Sequence, residues 1–159
     1  MSDHLGRPYI EWCRFRLMNH YWPRVERCVK ELSDEDVWWR EHETSNSVGN
    51  FLLHLTGNLN QFVLAGIGGA QDTRNKPQEF SERQQIAKDE LLRRLNNALR
   101  ETDRTLGLLD PARLLEKTRV QDRERSIFEI LSVVVEHFAL HVGQIIYITK
   151  LRTGKDLKF

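Results

Sequence analysis

From Ser126 to about Thr153 the chain carries one helical pattern, the most apolar stretch in the sequence, and it stops at Gly154. A helix that is apolar around most of its circumference has to be surrounded by other elements, so this segment is expected at the centre of an all-helical fold. Ser126 and Glu129 at its start form a capping box, in which each side chain satisfies a backbone donor of the other. Three further segments show helical periodicity. The first runs from about Pro8 to Leu32, with Ile10, Cys13, Leu17, Tyr21, Val25, Cys28 and Leu32 along one side, and Pro23 should kink or split it. The second covers about Ser47 to Ile67, opens on the weaker cap pair Ser47 and Asn50, and ends at Gly68-Gly69. The third is predicted from Ser81, capped with Gln84, to about Leu106, with Leu91, Leu92, Leu95, Leu99 and Leu106 as its stripe. Charged residues fill the rest of that helix and make it the most solvent-exposed of the four.

The connections carry less pattern. Ser33 to Asp36 reads as a polar cap or turn, and Trp38-Trp39 begins a short connection that packs against the end of the helices. Ala70 to Phe80 is a polar loop with Pro77, and Asp110-Pro111 can cap one short turn. Lys117 to Glu124 is the only stretch with extended character, and no strand is expected with assurance. The whole chain, 1–159, reads as a single domain of sufficient length to bury roughly two thirds of its unfolded surface.

Charge is nearly balanced, with 24 Lys plus Arg against 23 Asp plus Glu, which leaves no positive field to steer the chain onto nucleic acid. Met1 to Trp12 has no apolar run and is not expected to be a secretory signal. The stretch Ile127 to Ile148 is broken by Glu129, Glu136, His137, His141 and Gln144, so no membrane span is expected and a cytoplasmic location is the default. Cys13 and Cys28, about 22 Å apart along one helix, cannot bridge and read as small core residues. Trp12, Trp22, Trp38 and Trp39 read as packing or interface residues.

Two residues in the last helix carry the chemistry. His137 and His141 stand four apart, one turn from each other on a single face, among Ile130, Val134, Gln144, Ile145 and Ile148. Two polar rings facing an apolar interior need partners. In the second helix Asn50, His54, Asn58 and Gln61 form a narrow polar stripe beside Val48, Phe51, Leu55, Leu59 and Phe62. If the two helices pack together, His54, His137 and His141 can converge on one ion and leave a coordination position open. By itself a pair of histidines at this spacing is more often a pair of hydrogen-bonded core residues. It is not the zincin motif, because Phe138 stands where that motif has its glutamate. Glu136 points elsewhere around the helix, and His4, His20 and His42 read as terminal or surface residues, with His20 close to the core stripe.

The segment Ser47-Val-Gly-Asn-Phe-Leu-Leu-His54-Leu-Thr-Gly-Asn58, with the later Glu136-His137-Phe-Ala-Leu-His141-Val-Gly143-Gln144-Ile, resembles the DinB-like superfamily of bacterial proteins, also called YfiT-like metal-dependent hydrolases. The Leu-Ser-Asp-Glu and Trp38-Trp39 stretch and the closing Thr153-Gly-Lys-Asp156 extend the resemblance over essentially the whole chain. It implies an up-down-down-up four-helix bundle, frequent homodimerisation, and one divalent metal ion held by His54, His137 and His141. Three imidazoles suit zinc, nickel, iron or copper. Relatives in the superfamily include S-transferases and an isomerase that use a low-molecular-weight thiol, whose sulfur the metal holds as thiolate. The resemblance therefore implies a metal-dependent transferase or isomerase acting through such a thiol on a small-molecule substrate, with Asn58 and Gln144 as supporting or substrate-positioning groups. A hydrolase is the near variant, though it usually needs a general base and none stands out. A metal-binding bundle without turnover, stress-related or structural, is the competing expectation.

Overall fold

A computed structural model describes residues 3–159; Met1 and Ser2, the first residues of the segment weighed as a leader, lie outside it. The chain is mostly helical, with one small hairpin. Helix α1 (Asp3–Phe15) passes through a π turn (Arg16–Tyr21) directly into α2 (Trp22–Glu31), with helical backbone at both junctions. Pro23 therefore alters the helix type and does not break it. A proline donates no N–H and its ring presses on the carbonyl one turn earlier; a widened turn just before it removes both conflicts. Ile10, Cys13, Leu17, Tyr21, Val25, Cys28 and Leu32 are all buried, so the expected stripe runs unbroken through the π turn.

The short α3 (Asp34–Val37) is capped by Ser33, whose hydroxyl accepts from Asp36 N at 3.0 Å. Trp38 follows, buried against Gly49, and its indole donates to Ile86 O at 2.9 Å. The capping box of Ser47 and Asn50 opens α4 (Val48–Leu59), which runs on as a second π turn (Asn60–Ala65) until Gly69 takes φ +77°. The region expected to be a loop contains α5 (Lys76–Ser81), capped by Asn75, with Pro77 in its first turn. Ser81 thus ends one helix instead of starting the next. The long α6 (Lys88–Gly107) has no cap from its own Ala87; the carboxylate of Asp34 takes the N–H of Lys88 at 2.7 Å from across the fold. Without a local cap signal, a sequence pattern at Ser81 and Gln84 was misleading.

After a 3-10 turn (Pro111–Leu115) come β1 (Lys117–Val120) and β2 (Arg123–Ser126), paired antiparallel with Val120 opposite Arg123. Gln121 and Asp122 both take positive φ, 52° and 59°, which is the turn whose twist suits a two-residue hairpin. Helix α7 (Ile127–Thr153) begins at the capping box of Ser126 and Glu129 and ends at Gly154 with φ +65°.

Helix α7 packs on α2 and on α4, α4 also packs on α6, and α1 lies against α6 and α7. Ile130, Val134, Phe138 and Ile145 of α7 are fully buried with Leu52 and Leu55 of α4 and Val25 and Cys28 of α2. Each large aliphatic side chain placed there contributes about 1.5–3 kcal/mol. By length and composition α7, with 27 residues and a mean hydropathy of 1.5 in its most apolar window, is long and apolar enough to cross a membrane, contrary to the expectation that its polar interruptions would prevent this. Its apolar side is the one that meets α2 and α4. Cys13 and Cys28 are both free and buried.

Candidate metal centre

Helix α4 supplies His54 and α7 supplies His137 and His141, whose four-residue spacing puts both rings on the side facing α4. His137 Nε2 lies 2.9 Å from His54 Nε2 and 3.0 Å from His141 Nε2. The three potential ligand atoms all fall within 4.8 Å of one another. Phe80 packs on the His54 ring with centroids 4.6 Å apart, and Phe51 on the His141 ring at 5.0 Å. Aromatic rings therefore pack, tilted by 41° and 34°, on two of the three imidazoles.

The other ring nitrogens decide what the converging ones can do. His54 Nδ1 lies 2.8 Å from Glu79 Oε2, and His141 Nδ1 lies 2.6 Å from Gln144 Oε1. A carboxylate and an amide oxygen can only accept, so both Nδ1 atoms carry the proton and both Nε2 atoms present lone pairs to the shared point; Arg74 Nη2 also lies 3.1 Å from His54 Nδ1, but its nearer acceptor is Glu79 Oε2 at 2.9 Å. His137 has its Nε2 between those lone pairs, and its buried Nδ1 has no partner. One proton on His137 Nε2 could serve the two neighbours only by being shared between them. A cation meets all three lone pairs at once. Tetrahedral ligands about 2.0–2.1 Å from zinc stand roughly 3.3 Å apart, near the 2.9 and 3.0 Å that separate His137 Nε2 from its two neighbours. The residues present thus fit a divalent ion held by three imidazoles.

Charge reinforces this. Burial, then the neighbouring His141 and His54 rings and the positive Arg74 and Lys76, push His137 down to about 3. Burial lowers His141 as well, against the opposing hydrogen bond to Gln144. Both rings are neutral near pH 7, the form that binds a metal.

Glu79 was not legible as a site residue. Its carboxylate receives two bonds from Arg74, Nε to Oε1 at 2.7 Å and Nη2 to Oε2 at 2.9 Å, besides the one from His54. Burial pushes this carboxyl up, but the hydrogen bonds from His54 and Arg74 and the Arg74 charge more than reverse that and hold it below its ordinary value. Arg74 donates onward to Gln61 Oε1 at 3.0 Å, Gln61 donates to Asp72 Oδ2 at 2.8 Å, and Gln121 at the hairpin tip donates to the same Gln61 oxygen at 2.6 Å. Asn50 donates to the backbone oxygens of Glu79 at 2.9 Å and Glu82 at 3.3 Å. So Asn50, His54 and Gln61 of the polar stripe on α4 receive the strap from Asp72 to Glu82. The unexplained polarity of that stripe was the one signal in the sequence that a polar segment must cover it.

Gln144 touches the cluster through His141. Asn58 does not: it is buried, and its Oδ1 has no hydrogen-bond partner. Glu136 is exposed and bonds none of the three histidines, and His4 and His42 are exposed on other parts of the fold. His20 is half-buried, edge-on to Tyr21 at 5.1 Å, and also stands outside the cluster.

Fold and site together define a mostly helical protein with a cluster of three imidazoles from two helices, of a kind able to hold a metal ion. The chain belongs to the family described as "Protein of unknown function (DUF1572)", whose model matches residues 4–159. A search of curated proteins found no match.

Proposed function

We propose that this protein binds one divalent metal ion, zinc, nickel or iron, through Nε2 of His54, His137 and His141. The observation that carries the reading is the set of fixed tautomers: acceptors at Glu79 and Gln144 hold protons on two Nδ1 atoms, and Nε2 of His54 and of His141 each lie within 3.0 Å of His137 Nε2. In the same reading the helices form the up-down-down-up bundle of the DinB-like superfamily, and the protein is a metal-dependent enzyme. When bound, the metal would stabilise a thiolate or polarise a substrate oxygen at its open position.

A transferase or isomerase using a low-molecular-weight thiol is favoured over a hydrolase. Among the described residues Glu79 is the one carboxylate bonded to the histidines, and both its oxygens are occupied by Arg74 and His54, so it is not free to take a proton from water. A metal-held thiolate needs no such base. The same observation supports, as the second reading, a metal-binding bundle without turnover. Exposed Leu5, Trp12 and Phe15 on α1 support a homodimer, which sedimentation would refute by showing a monomer at micromolar concentration.

The test is metal content after purification without chelators or a histidine tag, compared with a variant carrying alanine at positions 54, 137 and 141. About one equivalent in the parent and none in the variant, with matching far-ultraviolet circular dichroism, is the expected result. A parent that takes up no zinc, nickel or iron on reconstitution would sink the proposal.

A further inference from the structure

We propose that Glu79, clamped by Arg74, is a positioning residue: it keeps the proton of His54 on Nδ1 and thereby keeps the Nε2 lone pair aimed at the point shared with His137 and His141. Its purpose rests on the metal-binding reading above, but its first test does not.

Three observations converge on it. Glu79 is the only fully buried residue of α5, so this short helix is seated on α4 by a carboxylate together with the half-buried Phe80 ring, which packs on His54. The three groups involved are almost dry, with side-chain exposures of 5% for His54, 9% for Glu79 and 2% for Arg74. A buried ion pair is costly to desolvate and is weak evidence of stabilisation in itself, so a pair retained at a histidine ring points to the ring. Finally, the two donors on Arg74 take one bond at each oxygen of Glu79, a fork that fixes the plane of the carboxylate. Gln61 and Asn50 hold the two ends of the strap that carries the pair, so the carboxylate has little freedom to turn away from His54. Orientation of metal-binding imidazoles by a carboxylate on the far nitrogen commonly changes metal affinity by about 10–100-fold.

The experiment is long-range nitrogen–proton NMR of the imidazoles in uniformly 15N-labelled, chelator-treated protein, followed by zinc titration in competition with a chromogenic chelator. The parent should show His54 protonated on Nδ1. In Glu79→Gln the amide N–H group can donate to Nδ1, so the His54 proton should move to Nε2 and zinc affinity should fall about 10–100-fold. Glu79→Asp keeps an acceptor and should restore the Nδ1 proton and part of the affinity, and it also serves if the glutamine variant does not fold. A purely structural strap would leave the tautomer unchanged in both variants, and that result overturns the proposal, as does a parent with the His54 proton on Nε2. If the tautomer behaves as expected while the parent binds no zinc, nickel or iron, Glu79 stands as the residue that orients His54 and the metal reading fails by itself.

Discussion

Gly57 and Glu79 occupy one space: a Cβ built on Gly57 would overlap Oε1 of Glu79 and lie 2.9 Å from its Cδ and 3.0 Å from Nε of Arg74. Gly57 sits one turn beyond His54, so the strap comes down onto α4 where that helix has no side chain. Glu79 cannot swing aside cheaply, because Arg74 and His54 hold both its oxygens. Gly57→Ala should therefore lift the strap, lower stability by about 1–3 kcal/mol and weaken zinc binding at least about tenfold. Urea denaturation and the rate of trypsin cleavage after Arg74 and Arg83 check this. An alanine variant with the parent's urea midpoint and protease resistance would contradict it.

Protons should destabilise the chelator-treated protein in a defined window. His137 is held at about 3 in the folded chain by burial and its positive and imidazole neighbours, against an ordinary value of 6.5. Between those values the unfolded chain binds a proton that the folded chain refuses. The stabilising contribution is complete above about pH 6.5 and is lost as the pH falls toward 3, by up to a few kcal/mol. His141, lowered by burial, adds to the same slope. Urea midpoints measured from about pH 7.5 down to about pH 4 should fall steeply in the parent and less steeply in His137→Gln. Equal slopes in the two proteins would show that His137 is not the group responsible.

Much of this architecture could be read from the residues. The caps at Ser47 with Asn50 and Ser126 with Glu129, the stops at Gly69 and Gly154, and the buried stripe from Ile10 to Leu32 follow from local rules that tertiary packing had no reason to override. The same rules failed at Ser81, because a helix of six residues beginning at Lys76 is too short to show periodicity, and the cap of α6 comes from Asp34, distant in sequence. Of the hairpin only the extended character of Lys117 to Glu124 was legible, since Lys117–Val120 and Arg123–Ser126 offer almost no apolar face. His137 and His141 were visible as a one-turn pair, and Gln144 as a neighbour of His141. Glu79 and Arg74 were not, for they lie 25 and 20 residues from His54 in a stretch with no pattern of its own. Asn58 shared the polar stripe in projection yet makes no hydrogen bond to the histidine cluster.

The thiols should be inert in the native protein. Burial pushes Cys13 up to about 11 and also raises Cys28, and both side chains are buried in the core. Thiolate, the reactive form, is thus scarce and shielded near neutral pH. A disulfide reagent such as DTNB should find no reactive thiol in the native protein and both thiols in guanidinium chloride. Rapid native labelling would refute this.

The hairpin can be strengthened at its tip. Asp122 has φ 59° without being glycine, a conformation that costs about 1–2 kcal/mol in an L-residue, less for Asp and Asn. Its ion pair with Arg119, at 3.4 Å, is fully exposed and contributes little. Asp122→Gly should raise stability by about 0.5–1 kcal/mol, read as a higher urea midpoint with an unchanged slope. A lower midpoint would show that the side chain matters more than its backbone strain.

The strap and the body of the protein are held by forces that respond differently to heat. The helices are joined by apolar burial, whose strength per unit area levels off on warming, whereas the Arg74–Glu79 pair is opposed by ion hydration, which becomes less favourable as temperature rises. Warming therefore strengthens the clamp relative to the core, and the strap should stay seated on α4 until the helices themselves separate.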